Sequence, residues 1–243
     1  MEATHKRLQG KVGLITGGAS GIGKGIAAWF VRERAQVMLA DINEENLESV
    51  RQELGANVET IRVDVTREDQ VASAVAATVA KFGKLDAAVN CAGIGGLCRI
   101  VDLDVEEWDS VVDIDLKGVF LCVKHEAIQM IAQGQGGAII NIASLNSRQP
   151  AEGMVTYCSA KAGVEMLTKV AAMELGGYKI RVNAISPGLI DTPLTNPLLE
   201  MPAVINGFLE NTVMGRSGTT DDVAAAVVFL ASDESTWITG DNL

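Results

Sequence analysis

The sequence of 243 residues predicts an α/β fold, a doubly wound, mostly parallel sheet with helices on both faces. Short apolar runs alternate with longer segments of helical periodicity along the chain. The short runs are apolar at nearly every position, which is typical of strands that are buried on both faces. No linker, repeat or low-complexity segment interrupts the alternation. We therefore expect a single domain over residues 1–243.

Six apolar runs have the length of buried strands. In chain order they are Lys11–Thr16, Gln36–Ala40, Val58–Val63, Asp86–Asn90, Gly137–Ile142 and Ile180–Ile185. The segments between and after them are predicted as helices because apolar residues recur at helical spacing, as at Ile22, Ile26 and Phe30 in the first one. These helices are Ile22–Arg34, Glu44–Leu54, Glu68–Phe82, Val105–Ala132, Gly153–Leu175 and Thr220–Ser232.

Charges and prolines refine this pattern. The helix from Glu44 begins with acidic residues, as the helix dipole favours, and the long helix from Val105 begins after Asp104. The irregular segment Leu189–Arg216 holds three of the five prolines. A loop of that length within one domain is usually a lid or a binding loop, so we expect residues 189–216 to form a lid-like substrate segment. A plain surface excursion is the alternative.

Composition excludes several classes of function. The net charge is −11, which argues against nucleic-acid binding and against docking to anionic membranes. The four cysteines form no C-x-x-C pair and the two histidines are far apart, so we expect reduced thiols and no metal site. The N-terminal residues lack the apolar core of a signal peptide, and no apolar run is long enough to span a bilayer. We therefore expect a cytoplasmic protein.

A glycine-rich stretch, TGGASGIG from Thr16 to Gly23, joins the first strand to the first helix. Glycines let the backbone turn tightly and let a pyrophosphate approach, and the helix N-terminus then offers free N–H groups to the phosphates. The position between strand and helix favours a dinucleotide site over a merely tight turn. The candidate contacts are Gly17, Ser20, Gly21, Ile22 and Gly23.

Asp41 ends the second strand, 18 residues after Gly23. A carboxylate at this position can accept both hydroxyls of an adenosine ribose and would repel a 2′-phosphate. Positions 20 and 42 hold Ser20 and Ile42 rather than an arginine or lysine that could bind the 2′-phosphate. NAD(H) is therefore expected to be preferred over NADP(H). Asp64, with Val65 beside it, could reach the adenine in a similar way. Both aspartates could instead be ordinary turn or helix-start residues.

A bound dinucleotide suggests hydride transfer, which needs a proton donor or acceptor. His5 lies near the N-terminus and His125 within the long helix, so neither is well placed. Tyr157 and Lys161 are four residues apart and share a helix face. Because a nearby ammonium favours the phenolate form of a phenol, this pair is a candidate acid–base unit. The spacing alone is common by chance.

Four motifs occur together and in order: TGGASGIG, NCAG at Asn90–Gly93, a serine 13 residues before Tyr157 in YCSAK, and SPGLIDT at Ser186–Thr192. From Gly10 to Gly240 the chain resembles the classical short-chain dehydrogenase/reductase family. The resemblance implies a Rossmann-type sheet of about seven strands. It also implies assembly as a homotetramer or homodimer, built through two long helices and the C-terminal strand.

The resemblance also implies a role for each matching residue. Ser144 would hydrogen-bond the substrate oxygen, Tyr157 would transfer the proton, and Lys161 would hold the nicotinamide ribose and support the tyrosine. The turn beside the adenine ribose would comprise Asn90, Ala92 and Gly93. The segment around the nicotinamide would comprise Pro187, Gly188, Ile190 and Thr192.

Three positions depart from the family pattern. Cys91 stands where a second asparagine is usual, and little functional loss is expected. Asp115 stands where the family usually has an asparagine that kinks the long helix and holds a water linked to the lysine. Asp115 could pair with Lys161 or be held neutral by burial, and we expect the proton relay to persist in altered form. The sequence ends at Asp241–Leu243, where the family continues with a short strand.

The residues expected around the substrate are mostly apolar and uncharged, which favours a neutral hydrophobic alcohol or ketone. They are Ser144, Leu145, Asn146, Met154, Leu189 and Leu194. The sequence therefore predicts an NAD(H)-dependent oxidoreductase that interconverts a secondary alcohol and a ketone. A β-ketoacyl thioester reductase of the same family is one alternative, although such enzymes usually take NADPH. A dinucleotide-binding regulator without turnover is the other.

Overall fold

Six parallel strands form one sheet in the computed structural model of the protein, which describes residues 6–243. In chain order they are β1 (Val12–Thr16), β2 (Gln36–Asp41), β3 (Val58–Arg62), β4 (Ala87–Asn90), β5 (Gly137–Ile142) and β6 (Ile180–Ile185). Their order across the sheet is β3-β2-β1-β4-β5-β6. The direction of winding therefore reverses between β1 and β4. Such a reversal opens a crevice at the carboxyl ends of the strands, where ligands bind in open α/β sheets.

Nine α-helices connect and flank the strands in the described part of the chain. They are α1 (Gly21–Arg32), α2 (Glu44–Leu54), α3 (Glu68–Phe82), α4 (Val105–Val112), α5 (Gly118–Gln133), α6 (Val155–Leu175), α7 (Asn196–Leu199), α8 (Pro202–Glu210) and α9 (Thr220–Ala231). The irregular segment predicted as a lid thus contains two short helices, α7 and α8. His5 lies outside the described residues.

The two faces of the sheet carry separate hydrophobic clusters. Ile15 and Leu39 belong to the cluster that includes residues of α1 and α9. Their chain neighbours Leu14 and Met38 belong to the cluster that includes residues of α3, α5 and α6. Because successive side chains in a strand point to opposite faces, both neighbours must be apolar when both faces are covered. This explains the continuously apolar runs in the sequence.

Two sequence-based expectations need correction. The sheet has six strands rather than about seven. The residues after Gly240 lie beside β6 and share backbone hydrogen bonds with it, such as Ala184 N to Asp241 O at 2.8 Å, but they form an isolated bridge between Asn242 and Ala184 rather than a strand. The helix expected over Val105–Ala132 is present as a helical backbone, but it is not α-helical throughout, because the five residues Asp113–Lys117 form a π-helical turn between α4 and α5. A π turn shifts the hydrogen-bond pattern by one residue and often marks a functional site.

Gly23 is buried at the start of α1, where the helix packs against the preceding loop. A Cβ added at Gly23 would overlap the carbonyl oxygen of Gly17, which is backbone and cannot rotate away. Gly23→Ala should therefore lower the free energy of unfolding by about 1–3 kcal/mol, as measured by denaturant titration. The control is Gly176→Ala, since a Cβ at Gly176 meets nothing within 4 Å and its φ is −57°. Equal stability of the two variants would contradict this account.

Candidate active site

A cleft of about 350 Å³ follows the carboxyl ends of the strands across the point where the winding reverses. The glycine-rich loop, the ends of β2, β3 and β5, the turn after β4 and the segment after β6 form its walls. The sequence-predicted residues that line it are Gly17, Ser20, Gly21, Ile22, Gly23, Asp41, Ile42, Asp64, Val65, Ala92, Gly93, Asp115, Ser144, Tyr157, Lys161, Pro187, Gly188, Ile190, Thr192 and Leu194. The structure thus brings together residues that lie more than 100 positions apart.

One end of the cleft is built to receive an anion. Gly17 has a left-handed φ of +68°, and a Cβ there would come within 2.8 Å of the Ala92 backbone nitrogen. The glycine-rich loop therefore packs directly on the turn that follows β4. Ser20 occupies the N-cap position of α1 but makes no capping bond with its side chain. The first N–H groups of α1 are thus available to a phosphate, which the helix dipole also favours.

Asp41 lies at the carboxyl end of β2 beside this anion site. Its two carboxylate oxygens accept hydrogen bonds from the backbone N–H groups of Ala19 at 3.1 Å and Asn43 at 3.0 Å. Asn43, not Asp41, caps α2, because the Asn43 side chain accepts from the Asn46 N–H. Asp41 is therefore a fixed carboxylate that faces the cleft, and it also organises its local turn.

Asp64 follows β3 further along the same wall. One carboxylate oxygen accepts hydrogen bonds from both the hydroxyl group of Thr66 at 2.7 Å and the Thr66 backbone N–H at 2.9 Å. The hydroxyl bond is the main cause that lowers the pKa of Asp64. Asp64 is thus a turn-forming residue that also lines the cleft.

The opposite end of the cleft holds Ser144, Tyr157 and Lys161. Ser144 follows β5 and caps a short 3₁₀ turn, where its Oγ accepts a hydrogen bond from the Asn146 N–H at 3.1 Å. Tyr157 and Lys161 lie in the first two turns of α6, and the Lys161 Nζ is 5.6 Å from the centre of the tyrosine ring. The same Nζ donates to the Ile142 carbonyl oxygen at 3.1 Å. β5 and α6 therefore position all three side chains.

Asp115 lies in the π-helical turn and is 0% exposed. Its Oδ1 accepts a hydrogen bond from the Ile94 N–H at 2.8 Å, and its Oδ2 is 3.1 Å from the Lys161 Nζ. The second contact is an ion pair rather than a well-directed hydrogen bond, since no bond of good geometry reaches Oδ2. Of the two roles open to Asp115 from the sequence, the geometry matches pairing with Lys161.

The environment of Lys161 sets its charge. Burial acts to lower the pKa of Lys161, but the Asp115 carboxylate and Tyr157 act in the opposite direction and raise it above its ordinary value. A buried lysine without a partner would tend to lose its proton. Asp115 therefore keeps an ammonium ion beside the tyrosine inside the protein.

Asn90 lies elsewhere than the sequence suggested. Its side chain is buried below the cleft, where Nδ2 donates to Glu126 Oε2 at 3.1 Å and to Asn141 Oδ1 at 3.0 Å. Ala92 and Gly93, which follow Cys91, do line the cleft. Cys91 also lines it, and burial raises the pKa of its thiol to about 12. Cys91 is therefore an inert wall residue.

Four expected substrate residues lie beside the cleft without lining it, namely Leu145, Asn146, Met154 and Leu189. The local hydrogen bonds explain this placement for the turn after Ser144, because the Asn146 Nδ2 is directed to the Gln149 carbonyl oxygen at 3.0 Å. Met154 instead packs beside the loop after β4, where Cys98 N donates to Gly153 O at 2.7 Å. Sequence reasoning missed other wall residues that adjoin predicted ones: Ile94, Ile114, Ala143, Pro193 and Thr195.

Glu165 was not singled out from the sequence, yet it fastens the loop of Ser144 to α6. Its two carboxylate oxygens accept hydrogen bonds from Arg148, Oε1 from Nη2 at 2.7 Å and Oε2 from Nε at 2.9 Å. The Ser147 hydroxyl group donates to Oε2 at 3.0 Å. Lys169 donates to Oε1 at 2.7 Å, one turn further along α6. Arg148 is the main cause that holds the pKa of Glu165 well below its ordinary range. Helical spacing from Lys161 to Glu165 was the only available signal in the sequence.

His125, the second histidine of the chain, lies outside the cleft. It contacts Glu68 on α3 at 3.1 Å. Among the residues that the structure describes, no cluster of His, Cys, Asp or Glu side chains could hold a metal ion. No helix within residues 6–243 has the length and apolar character that crossing a membrane requires.

Comparisons with known proteins agree with the geometry. The family model described as Enoyl-(Acyl carrier protein) reductase matches residues 17–243. The 3-oxoacyl-(acyl-carrier-protein) reductase FabG of Thermotoga maritima is 42% identical over 237 residues, covering 96% of this chain and 95% of that protein. The mitochondrial borneol dehydrogenase of Lavandula x intermedia is 42% identical over 240 residues, covering 98% and 90%. A short-chain type dehydrogenase/reductase structure from Mycobacterium ulcerans shares 36% identity at a TM-score of 0.93, covering 97% and 88%.

Removal of the Asp115 carboxylate should destabilise the folded protein. Asp115→Ala leaves the Lys161 ammonium buried without its partner and the Ile94 N–H unpaired, so the free energy of unfolding should fall by about 3–5 kcal/mol in denaturant titration. The matched control is Asp113→Ala, two residues earlier, since Asp113 is 47% exposed and pairs with Lys117 at the surface. That variant should lose no more than about 1 kcal/mol. Similar losses in both variants would contradict a structural ion pair at Asp115.

Proposed function

The chain belongs to the classical short-chain dehydrogenase/reductase family, and we propose that it is an NAD(H)-dependent oxidoreductase that interconverts a secondary alcohol and a ketone. One observation carries this proposal: Ser144, Tyr157 and the Asp115-paired Lys161 share one cleft with an uncapped helix N-terminus and a fixed carboxylate. This cleft combines a dinucleotide site with an acid–base group.

The residues present fit a nicotinamide dinucleotide. The start of α1 would hold the pyrophosphate, Asp41 the adenosine ribose, Lys161 the nicotinamide ribose, and Thr192 the carboxamide. When bound, the dinucleotide supplies or accepts the hydride. Asp41 supports NAD(H) over NADP(H) because its carboxylate would repel a 2′-phosphate, and its two backbone hydrogen bonds hold it in place.

The chain's own residues handle the substrate oxygen and its proton. Ser144 Oγ accepts the Asn146 N–H, and its own proton reaches only Asn146 Oδ1 at 3.5 Å, so that proton is available to bind the substrate oxygen. Tyr157 Oη takes the proton from the alcohol, or returns it to the ketone oxygen in the reverse direction. Lys161 stabilises the phenolate form through its charge, and Asp115 keeps that charge in place.

A neutral, hydrophobic substrate is supported by the charges on the segment that follows Ile94, which lines the cleft. The loop after β4 and the first turns of α4 form an acidic segment that carries Asp102, Asp104, Glu106, Glu107 and Asp109. The nearby cations are already paired: Arg99 with Asp102 at 2.6 Å and Arg148 with Glu165 at 2.7 Å. An acyl group on a phosphate-bearing carrier would meet repulsion here. A neutral alcohol such as the one in the name of borneol dehydrogenase would not.

A β-ketoacyl thioester reductase is the second candidate, because the reductase from Thermotoga maritima and the borneol dehydrogenase are equally similar to this chain. Sequence identity therefore does not distinguish a neutral alcohol from a β-ketoacyl thioester as the substrate. Two features weigh against the thioester. Asp41 disfavours the NADPH that such reductases usually take, and the acidic segment after β4 would repel a phosphate-bearing carrier.

The assembly that we propose is a homodimer or homotetramer that acts in the cytoplasm on a small molecule. Exposed apolar side chains on α5 and α6 support an interface between copies, namely Phe120, Ile128, Met166, Val170 and Met173. Apolar side chains that recur along the exposed faces of two helices are typical of an interaction surface.

The direct test is a substrate panel. Secondary alcohols, their ketones and one β-ketoacyl thioester should be assayed with NAD(H) and with NADP(H). Turnover of neutral alcohols with NAD is the expected result. A better rate with NADP would refute the ribose argument, preferred reduction of the thioester would favour the second candidate, and NADH binding without any hydride transfer would favour a regulator.

Tyr157→Phe removes the hydroxyl group that moves the proton while it keeps the ring. Turnover should fall by about 10²–10⁴-fold, whereas the Kd for NAD should change only a few fold. The matched control is Tyr178→Phe, at the only other tyrosine of the chain, which is 53% exposed on the surface. Steady-state kinetics and dinucleotide titration of both variants provide the readout. Retained activity in Tyr157→Phe would refute the acid–base role.

A further inference from the structure

A row of buried polar side chains lies directly below the cleft. Thr16, Asn90 and Asn141 are in register at the carboxyl ends of β1, β4 and β5. Asn90 Nδ2 donates to Asn141 Oδ1 at 3.0 Å. Asn141 Nδ2 in turn donates to Thr168 Oγ1 on α6 at 2.9 Å. These hydrogen bonds join β4 and β5 to α6, the helix that carries Tyr157 and Lys161.

Glu126 on α5 contacts the middle of this row and is 0% exposed. Its Oε2 accepts from Asn90 Nδ2 at 3.1 Å. Two buried oxygens are then left without a hydrogen-bond partner, Glu126 Oε1 and Asn90 Oδ1. An ionised carboxylate can only accept hydrogen bonds, so it cannot satisfy the amide oxygen, whereas a protonated carboxyl group has one O–H to donate. Unsatisfied buried polar atoms are rare and costly.

We propose that Glu126 is a positioning residue: its carboxyl group is protonated in the folded protein and forms a two-point acid–amide pair with Asn90 that holds the carboxyl ends of β4 and β5. One proton on Oε1 donates to Asn90 Oδ1, while Oε2 accepts from Asn90 Nδ2. Both orphaned oxygens gain a partner through this single proton.

Burial supports the neutral form. Burial raises the pKa of Glu126 to about 8, and the hydrogen bond from Asn90 offsets only part of this effect. The other titratable group that faces Glu126 within the described residues is the Cys122 thiol, one turn earlier on α5, whose pKa burial raises well above its ordinary value. Helix α3 presents only Val71, Ala74, Val75 and Thr78 to the core. The cations of these two helices contact other carboxylates, since Lys124 and His125 bind Glu68 and Lys81 binds Glu59.

The pair acts on the cleft through the chain segments that follow it. Asn90 leads into the turn of Cys91–Gly93, where Cys91 N donates to Thr16 Oγ1 at 3.1 Å. The same turn packs against Gly17 in the glycine-rich loop. Asn141 leads through Ile142, whose carbonyl oxygen accepts from Lys161, to Ser144. A shift of either strand end would therefore move a wall of the cleft.

The proton itself can be observed without any ligand. Infrared difference spectra between the wild-type protein and Glu126→Gln, recorded from about pH 5 to about pH 9, should show the C=O stretch of a protonated carboxyl group at neutral pH. This band should disappear only as the pH rises through the raised pKa. An ionised carboxylate signal already present at neutral pH would overturn the proposal.

Two substitutions of similar size separate pairing from packing. Glutamine can reproduce both contacts with Asn90, because its amide accepts through one atom and donates through the other. Methionine fills the space but removes both contacts with Asn90, so the Asn90 amide keeps only its bond to Asn141. We expect the Kd for NADH to stay within a few fold in Glu126→Gln and to rise about tenfold in Glu126→Met. Equal NADH affinity of the two variants would refute the positioning role.

The pH dependence gives a further readout that packing alone would not change. Because the folded-state pKa of Glu126 is raised, the stabilisation from its proton is fully present below the ordinary carboxyl pKa and is lost as the pH rises through about 8. As the pH rises from the ordinary carboxyl pKa to about 8, the wild-type Tm should therefore fall relative to the Tm of Glu126→Gln. A constant difference in Tm would contradict the inference.

The predicted change in the Kd for NADH rests on the proposed function, whereas the protonation of the Glu126 carboxyl group does not. If the wild-type protein does not bind NADH at all, the proposed function fails, and the infrared band and the Tm difference still decide the state of Glu126.

Discussion

The buried ion pair between Asp115 and Lys161 holds the catalytic half of the cleft together. It joins the π-helical turn to α6, while the other oxygen of Asp115 holds the loop after β4 through Ile94 and the ammonium of Lys161 holds the end of β5 through Ile142. Two opposite charges are stable at this depth only if each remains beside the other. The positions of Tyr157 and Ser144 thus depend on a contact that neither residue makes.

Other polar contacts extend this arrangement in two directions. Glu165 fastens the Ser144 loop to α6 from the outer side, through Arg148 and Ser147. The row from Thr16 to Asn141 supports the strand ends from below, with Glu126 at its centre. The cleft therefore has a polar frame, and the apolar clusters on the two faces of the sheet supply the bulk of the burial.

Local patterns in the sequence were sufficient for much of this structure. Continuous apolar runs revealed the six strands, and the i, i+4 spacing placed Tyr157 beside Lys161, because both signals arise within one element. The contacts of Asn90 and Glu165 could not be predicted in this way. Asn90 bonds to Glu126, 36 residues away, and which side chain of a strand end faces the ligand depends on the packed helix. The resemblance implied a kink of the long helix at Asp115, but its form as a five-residue π turn was not predicted.

The pH dependence of turnover in Asp115→Asn tests the central role of the ion pair most directly. Asparagine keeps the size and can still accept the Ile94 N–H, but it removes the charge that raises the pKa of Lys161. The ammonium should then be lost at lower pH, so the alkaline limb of the kcat profile should move down by about 1–3 pH units relative to the wild-type protein. An unchanged profile with unchanged turnover would contradict the account.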